Sequence, residues 1–303
     1  MTRLHRNEAG AEGARRIARA QIGTALRALE SRPLSDEAVH AARKSLKRAR
    51  AMLRLLRQSI GDEAYHRENA ALRDAARPLS EIRDAKVLLQ ALDRFARGDR
   101  RQGRAPPILE LRRLLCQKRA DIRSRLLREP GRFAGQLAAL REARRRARHW
   151  RAGRKGWSVL GAGLRRVYGQ AHRAFAYSRT YPAATRLHEW RKQTKYLWHQ
   201  LQALEPLGPA VAQRAALAHR LADLLGEDHD LWVLRITVSK TVPAGSGRQN
   251  LLERIDHRSA QLRAQALELG ERVYAETGPA FEAHLHSLWR AWRRAPRRAR
   301  RTA

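Results

Sequence analysis

The chain has 303 residues, 64 Lys plus Arg against 29 Asp plus Glu, a formal charge of +35, and 43% hydrophobic residues. No apolar run of about 18 residues occurs, so no helix is expected to span a membrane, and Arg3 and Arg6 precede no apolar stretch of the kind a signal peptide needs. The single cysteine, Cys116, excludes a disulfide framework and a Cys-rich zinc site. The cytoplasm is the expected compartment. Such a charge repels itself unless a polyanion neutralises it, which points to DNA, RNA, an anionic membrane surface or an inorganic polyanion. A bias toward arginine on solvated faces explains part of the excess but not the shortage of acids.

Ala, Leu, Arg, Glu and Gln dominate, and β-branched residues never alternate over a strand length, so the chain reads as helix almost throughout. Breaks fall at Pro33, Gly61, Pro78, Gly98 to Pro107, Pro130-Gly131, Gly153, Pro182, Pro206 to Pro209, Gly226, Pro243 to Gly247 and Gly278-Pro279. The helices between them are roughly 10–25 residues long, as in a bundle. A helix is expected from Ser35 to Ser59, opened by Ser35-Asp36-Glu37 and stopped at Gly61. Leu46, Ala49, Leu53, Leu56 and Ile60 give it an apolar stripe. His40, Arg43, Lys47, Arg50, Arg54 and Arg57 form a basic stripe roughly a third of a turn away, placed to line a groove rather than face bulk water. A second helix behaves alike: Leu187, Trp190, Leu197, Leu201 and Leu204 are apolar, and His188, Arg191, Lys192, Lys195 and His199 share a neighbouring face. Residues 293–303, with arginine pairs around Pro296, read as a basic disordered tail.

Three segments recur in order at nearly one offset. His40-Ala41-Ala42-Arg43-Lys44-Ser45-Leu46-Lys47 matches His188-Glu189-Trp190-Arg191-Lys192-Gln193-Thr194-Lys195 as His-x-x-Arg-Lys-x-x-Lys. Glu81 to Leu88 matches Glu227 to Leu234, and Gly13-Ala14-Arg15-Arg16-Ile17 matches Gly163-Leu164-Arg165-Arg166-Val167. The expected fold is therefore all-α, a tandem duplication with halves 1–148 and 149–292, each a small helical unit. Of eight lysines in the chain, four are Lys44, Lys47, Lys192 and Lys195. Lysine kept at repeated positions in an arginine-rich chain suggests selected geometry, though two inherited copies would share it as well.

His40 and His188 admit three readings. Metal ligation is disfavoured, because cations surround them and no His/Asp/Glu cluster stands at ligand spacing. A phosphoacceptor or general base has no nucleotide loop to serve. The preferred reading is an anion ligand donating ring N–H bonds, beside the plainer one of a helix-start histidine bonded to backbone. Asp84 and Asp230 follow the breaks at Pro78 and Gly226, and read as helix N-caps, as acceptors orienting a motif cation, or both. They are too few for metal-assisted catalysis, so no enzyme activity and no cofactor are expected. Trp190 and Trp232 read as core, and Trp289 with Trp292 as a staple for the last helix.

These paired motifs resemble the CHAD family, the conserved-histidine α-helical domain. Its first half is carried here by His40, Arg43 and Lys47-Arg48-Ala49-Arg50, then Leu79-Ser80-Glu81-Ile82-Arg83-Asp84. Its second is carried by His188, Arg191-Lys192 and Lys195-Tyr196-Leu197-Trp198-His199, then Leu225-Gly226-Glu227-Asp228-His229-Asp230. The chain departs from the family pattern at Ala49, Ser80 and Trp198-His199. The resemblance implies two pseudo-symmetric halves, each a bundle of about four helices, around a basic groove, and binding of inorganic polyphosphate, with association with polyphosphate granules. On that basis the expected ligand-binding set is Arg16, His40, Arg43, Lys44, Lys47, Arg48, Arg50, Arg54, Arg166, His188, Arg191, Lys192 and Lys195, with Asp84 and Asp230 orienting. The competing expectation is a nucleic-acid-binding protein. No helix-turn-helix, zinc-finger or RNA-recognition signature supports it, so nucleic acid is expected only as a non-specific competitor.

Overall fold

A computed structural model describes residues 2–31, 33–98, 105–127, 131–150 and 156–295. The described residues are helical and contain no strand. The elements are α1 (Gly10–Glu30), α2 (Asp36–Ile60), α3 (Asp62–Ala76), α4 (Pro78–Arg97), α5 (Pro106–Leu127), α6 (Ala134–Arg146), α7 (Ser158–Thr180), α8 (Ala184–Leu204), α9 (Pro209–Thr241), α10 (Ser246–Val273) and α11 (Gly278–Arg294). The described part thus holds six helices before residue 150 and five after it, where about four in each half were expected. None is long and apolar enough to cross a membrane.

Local chemistry explains the ends that matter. Ser35 Oγ accepts from the Ala38 amide at 3.1 Å and starts α2 as expected. Gly61 stops it at φ 83°, a left-handed conformation that suits glycine, and its amide donates to the Arg57 carbonyl at 3.0 Å. Pro78 opens α4 directly after α3, its missing N–H marking the join. Gly226 does not act as a break: α9 runs through it without interruption. At the offset of the repeated motifs, α9 alone spans the positions that α3 and α4 hold earlier in the chain. Asp84 and Asp230 consequently lie inside α4 and α9, so neither is an N-cap.

Two apolar clusters hold the helices together, and each draws on both halves of the chain. The larger packs α1, α2 and α3 with α7, α8 and α11, through Leu46, Leu53, Leu56, Leu72, Leu164, Trp190, Leu197 and Phe281 among others. The smaller joins Leu89 and Leu92 of α4 and Ile108 and Leu111 of α5 to Leu234 and Val238 of α9 and Leu251 and Ile255 of α10. The halves approach closely at Gly163 of α7. A Cβ there would sit 2.7 Å from Leu55 Cα and 2.8 Å from Leu55 O on α2, so only glycine lets the two backbones meet. Gln200 Nε2 on α8 donates to the Ala51 carbonyl of α2 at 3.0 Å, a second buried link.

The buried carboxylates are structural. Asp36 accepts from Arg119 at 2.5 Å and Arg123 at 3.2 Å. Glu68 takes a two-point contact from Arg146 at 2.7 and 3.1 Å. Asp228 accepts from Ser259 and, at 2.9 Å, from Arg263. Trp190 is fully buried as expected, but Trp232 is exposed, because it lies on the outward face of α9. Trp289 is buried and contacts both Trp157 and Trp292, anchoring α11. The helix runs on to Arg294, so the basic tail expected from residue 293 begins no earlier than residue 295; residues 296–303 lie outside the described part.

Candidate anion-binding cavity

The basic stripe of α2 and that of α8 meet in one cavity of about 600 Å³, closed on its other sides by α4 and α9. From α2 come His40, Arg43, Lys44 and Lys47, at helical spacings of three, four and seven. From α8 come His188, Arg191 and Lys195, then Trp198 and His199 further along the same face. Helix α4 adds Arg83, Asp84, Val87 and Leu88, and α9 adds His219, Asp223, His229, Asp230 and Val233. The two expected basic stripes therefore do converge, and nine of the expected residues line one space.

The arginines are seated by equivalent positions of the companion helices. Arg43 Nη1 donates to Ser80 Oγ and to the Ala76 carbonyl of α3, the latter at 3.4 Å. Arg191 lies along the backbone of α9 at Gly226, where a Cβ would stand 3.3 Å from its Nη2. Its Nε is buried with no protein partner. Ser80 and Gly226 occupy matching motif positions, so the serine offers a hydroxyl where the glycine offers room. Arg83 is tethered to Gln90 Oε1 at 3.4 Å.

Positive charge inside this space is under-compensated. Six cations, Arg43, Lys44, Lys47, Arg83, Arg191 and Lys195, face three carboxylates. Of those, Asp230 is bonded to Arg94 at 3.0 Å and Asp223 lies 3.4 Å from His219. Burial, then the charges of Lys195, Arg43 and Arg191, push the Lys47 ammonium down to about 7. Lys47 nevertheless keeps an accessible surface: water reaches the side chain through the cavity while protein crowds it. Lys195 is pushed down to about 8 by burial and by Arg191. Burial also raises the Asp230 carboxyl above its ordinary value.

Five of the 12 histidines surround the same space. Burial and neighbouring cations lower His40 and His188, and drive His229 down to about 4. His199 is held well below its ordinary value by burial, then by Arg48, and its Nδ1 is buried without a partner. His188 packs against His229 at 4.6 Å between ring centroids, and Trp198 stacks on His219 at 3.9 Å. The depressed imidazoles of His40, His188, His199 and His229 are ready donors or acceptors, and an anion arriving here would favour their charged forms.

The other expected residues lie elsewhere. Arg16 is bonded to Glu8 at 2.8 and 2.6 Å beside a different cleft. Arg48 donates to Gln202 at 3.3 Å, and Arg166 to the Arg54 carbonyl at 2.9 Å, both across the contact between the halves. Arg50 and Arg54 are held by Asn69 at 3.0 and 3.3 Å, with the Arg54 guanidinium 3.7 Å above the Tyr196 ring. Lys192 is exposed and paired with Glu189. Conversely, the reading of the sequence left out Arg83, Asp223, His219 and His229, and gave His199 no part in ligand binding. Arg83 and His229 stand at matching positions of the second repeated segment, which is the signal that pointed to them. No group of three or more His, Cys, Asp or Glu placed to hold a metal ion occurs among the described residues.

The fold is similar to that of PptA from Streptomyces chartreusis, with a TM-score of 0.54 over 88% of this chain and 98% of that one, at 15% identity. Among curated proteins, none matches the sequence. The sequence matches the CHAD domain over residues 16–239, a stretch containing every residue that lines the cavity, and the chain therefore belongs to the CHAD domain family.

Proposed function

We propose that this protein binds inorganic polyphosphate in the cavity between α2, α4, α8 and α9, as a binding protein and not an enzyme. The observation that carries the reading is the convergence of Lys47 and Lys195 with Arg43 and Arg191 in one space, at a cost in mutual repulsion that an anion removes. The CHAD family is associated with polyphosphate-related proteins, which supports the same ligand. Polyphosphate repeats a single anionic unit and has no base or sugar edges, so charge and spacing are all that recognition can use. Arginine supplies two-point hydrogen bonds to phosphate oxygens, lysine a compact charge, and neutral histidine a donor strengthened on protonation. Asp230 is bonded to Arg94 and Asp223 lies beside His219, so both orient neighbouring side chains instead of attacking a bond. Association with polyphosphate granules follows as part of the proposal.

The test is calorimetric titration with long-chain polyphosphate at two salt concentrations, with duplex DNA of equal charge as competitor. Saturable binding at physiological salt that the duplex does not displace is expected. Lys47→Ala with Lys195→Ala should weaken it about 100-fold, two charge-assisted contacts being lost. Replacing the exposed, carboxylate-paired Arg112 and Arg235 by alanine should cost a few-fold at most, through general screening. Equal losses in the two double variants, or displacement by DNA, overturn the shaped site. Steady release of orthophosphate with Mg²⁺ or Mn²⁺ overturns the non-enzymatic reading.

A further inference from the structure

A second concentration of positive charge lies outside the cavity. A cleft of about 560 Å³ opens between the N-terminal segment, α1 and the end of α6. Arg15 and Arg19 present one face of α1 to it, and Arg144 of α6 and Arg148 one turn further on face them. Its geometry is held from several sides. Arg15 Nη1 donates to the carbonyls of Arg148 at 3.4 Å and Trp150 at 3.1 Å, clipping the chain after α6 to α1. The Arg144 guanidinium lies along α1 at Gly23, where a Cβ would stand 3.1 Å from its Nε.

Among the described residues the counter-charge falls short. Other arginines of α6 find carboxylates: Arg141 pairs with Glu30 at 2.6 Å, Arg145 with Glu142 at 2.8 Å and Arg146 with Glu68 at 2.7 Å. In the cleft, Glu8 is taken up by Arg16, which leaves Glu12 as the other acid. The side chains of Arg19, Arg144 and Arg148 make no ion pair among the described residues, and Arg19 Nε is buried with no partner. Burial, then the charges of Arg148, Arg144 and Arg15, lower the Arg19 pKa, the mark of guanidinium groups crowded together.

We propose that this cleft is a second anion site, separate from the cavity, whose arginine forks, those of Arg19, Arg144 and Arg148 above all, take a short run of linked phosphates. Planar guanidinium groups converging on one volume fit phosphate oxygens at two points each, and the space exceeds what a single phosphate fills. The identity of the ligand rests on the polyphosphate reading above. The consequence is a protein with two contacts for one polymer, so that long chains gain affinity by effective concentration.

The test is calorimetry with tripolyphosphate, too short to join distant sites, on three proteins. The wild type should bind two equivalents. Arg19→Gln with Arg144→Gln and Arg148→Gln should bind one, keep the remaining affinity within about twofold, melt no lower than wild type, and lose about tenfold in affinity for long chains. Lys47→Ala with Lys195→Ala should keep the equivalent that the arginine variant loses. Arg148→Gln alone, at an exposed position, should weaken the second equivalent at least threefold and guards against misfolding of the triple variant. A single equivalent in the wild type, untouched by the arginine substitutions and removed by the lysine ones, overturns this second site and leaves the cavity reading standing. A single equivalent removed only by the arginine substitutions overturns the cavity reading instead. Duplex DNA displacing tripolyphosphate from this cleft overturns the assignment to linked phosphates.

Discussion

Lys47 sits among like charges, and the direction of its shift fixes two pH dependences. Its pKa is about 7 in the folded protein and that of Lys195 about 8, against roughly 10.4 for a free lysine. Between these values the unfolded chain holds more protons than the folded one, so stability of the unliganded protein rises with pH from about 7 to 10. Melting temperature should climb across that window, and Lys47→Gln should raise it at pH 6.5 while flattening the climb. Anion binding acts the other way. It pulls the two ammonium groups and the depressed imidazoles of His40, His188 and His229 toward their charged forms, so binding takes up protons and tightens as pH falls. Titrations at pH 8 in two buffers of different ionisation enthalpy should show net uptake; release would contradict the cation-filled cavity. The sequence disclosed the cavity residues of α2 and α8 because seven residues of helix, two turns, fit within one wall. It overextended the stripe to Arg50 and Arg54, because a helix advances about 1.5 Å per residue and has left the cavity by then. His219 and Asp223 escaped notice because nothing local links them to α8, only the fold.

At the scale of elements, α9 is the departure that shapes the site. A glycine in mid-chain read as a stop, yet 33 residues continue through it. Helix interiors tolerate glycine at a cost of about 1 kcal/mol, and here the cost admits the Arg191 guanidinium against the backbone. Gly226→Ala should therefore stabilise the protein by up to about 1 kcal/mol in denaturant titration. It should also weaken polyphosphate binding several-fold, because Arg191 must give way by a few tenths of an ångström. A loss of stability instead would place the glycine in packing rather than in the site. The first-half counterpart needs no such room, since Ser80 meets Arg43 with a hydroxyl. Helix identity was legible throughout from composition and spacing; helix continuity was not, because glycine and proline interrupt a pattern locally while packing on both sides decides whether the helix goes on.

At the scale of the molecule, the halves share their interior. Gly163 lets α7 touch the backbone of α2, so Gly163→Ala must separate two helices that carry the larger cluster. A loss of about 1–3 kcal/mol is expected from such overpacking, outweighing the better helix propensity of alanine, and a denaturation midpoint at or above that of the wild type would refute the contact. The repeated motifs led to the expectation of two alike halves, but not to the packing of Leu89 and Leu92 with Leu234 and Val238, a long-range pairing no local pattern encodes. One feature reaches beyond stability. The buried Asp36, Glu68 and Asp228 spend their charge at short range on arginines that are themselves only partly buried. The remaining excess of a +35 molecule is left facing outward. Capture of a polyanion is then a kinetic property of the entire surface, fast at low ionic strength and slowed by salt. Residence time belongs to the few groups in the cavity and, for long chains, in the arginine cleft, so substitutions elsewhere on the outer faces should alter arrival, and those in these two places departure.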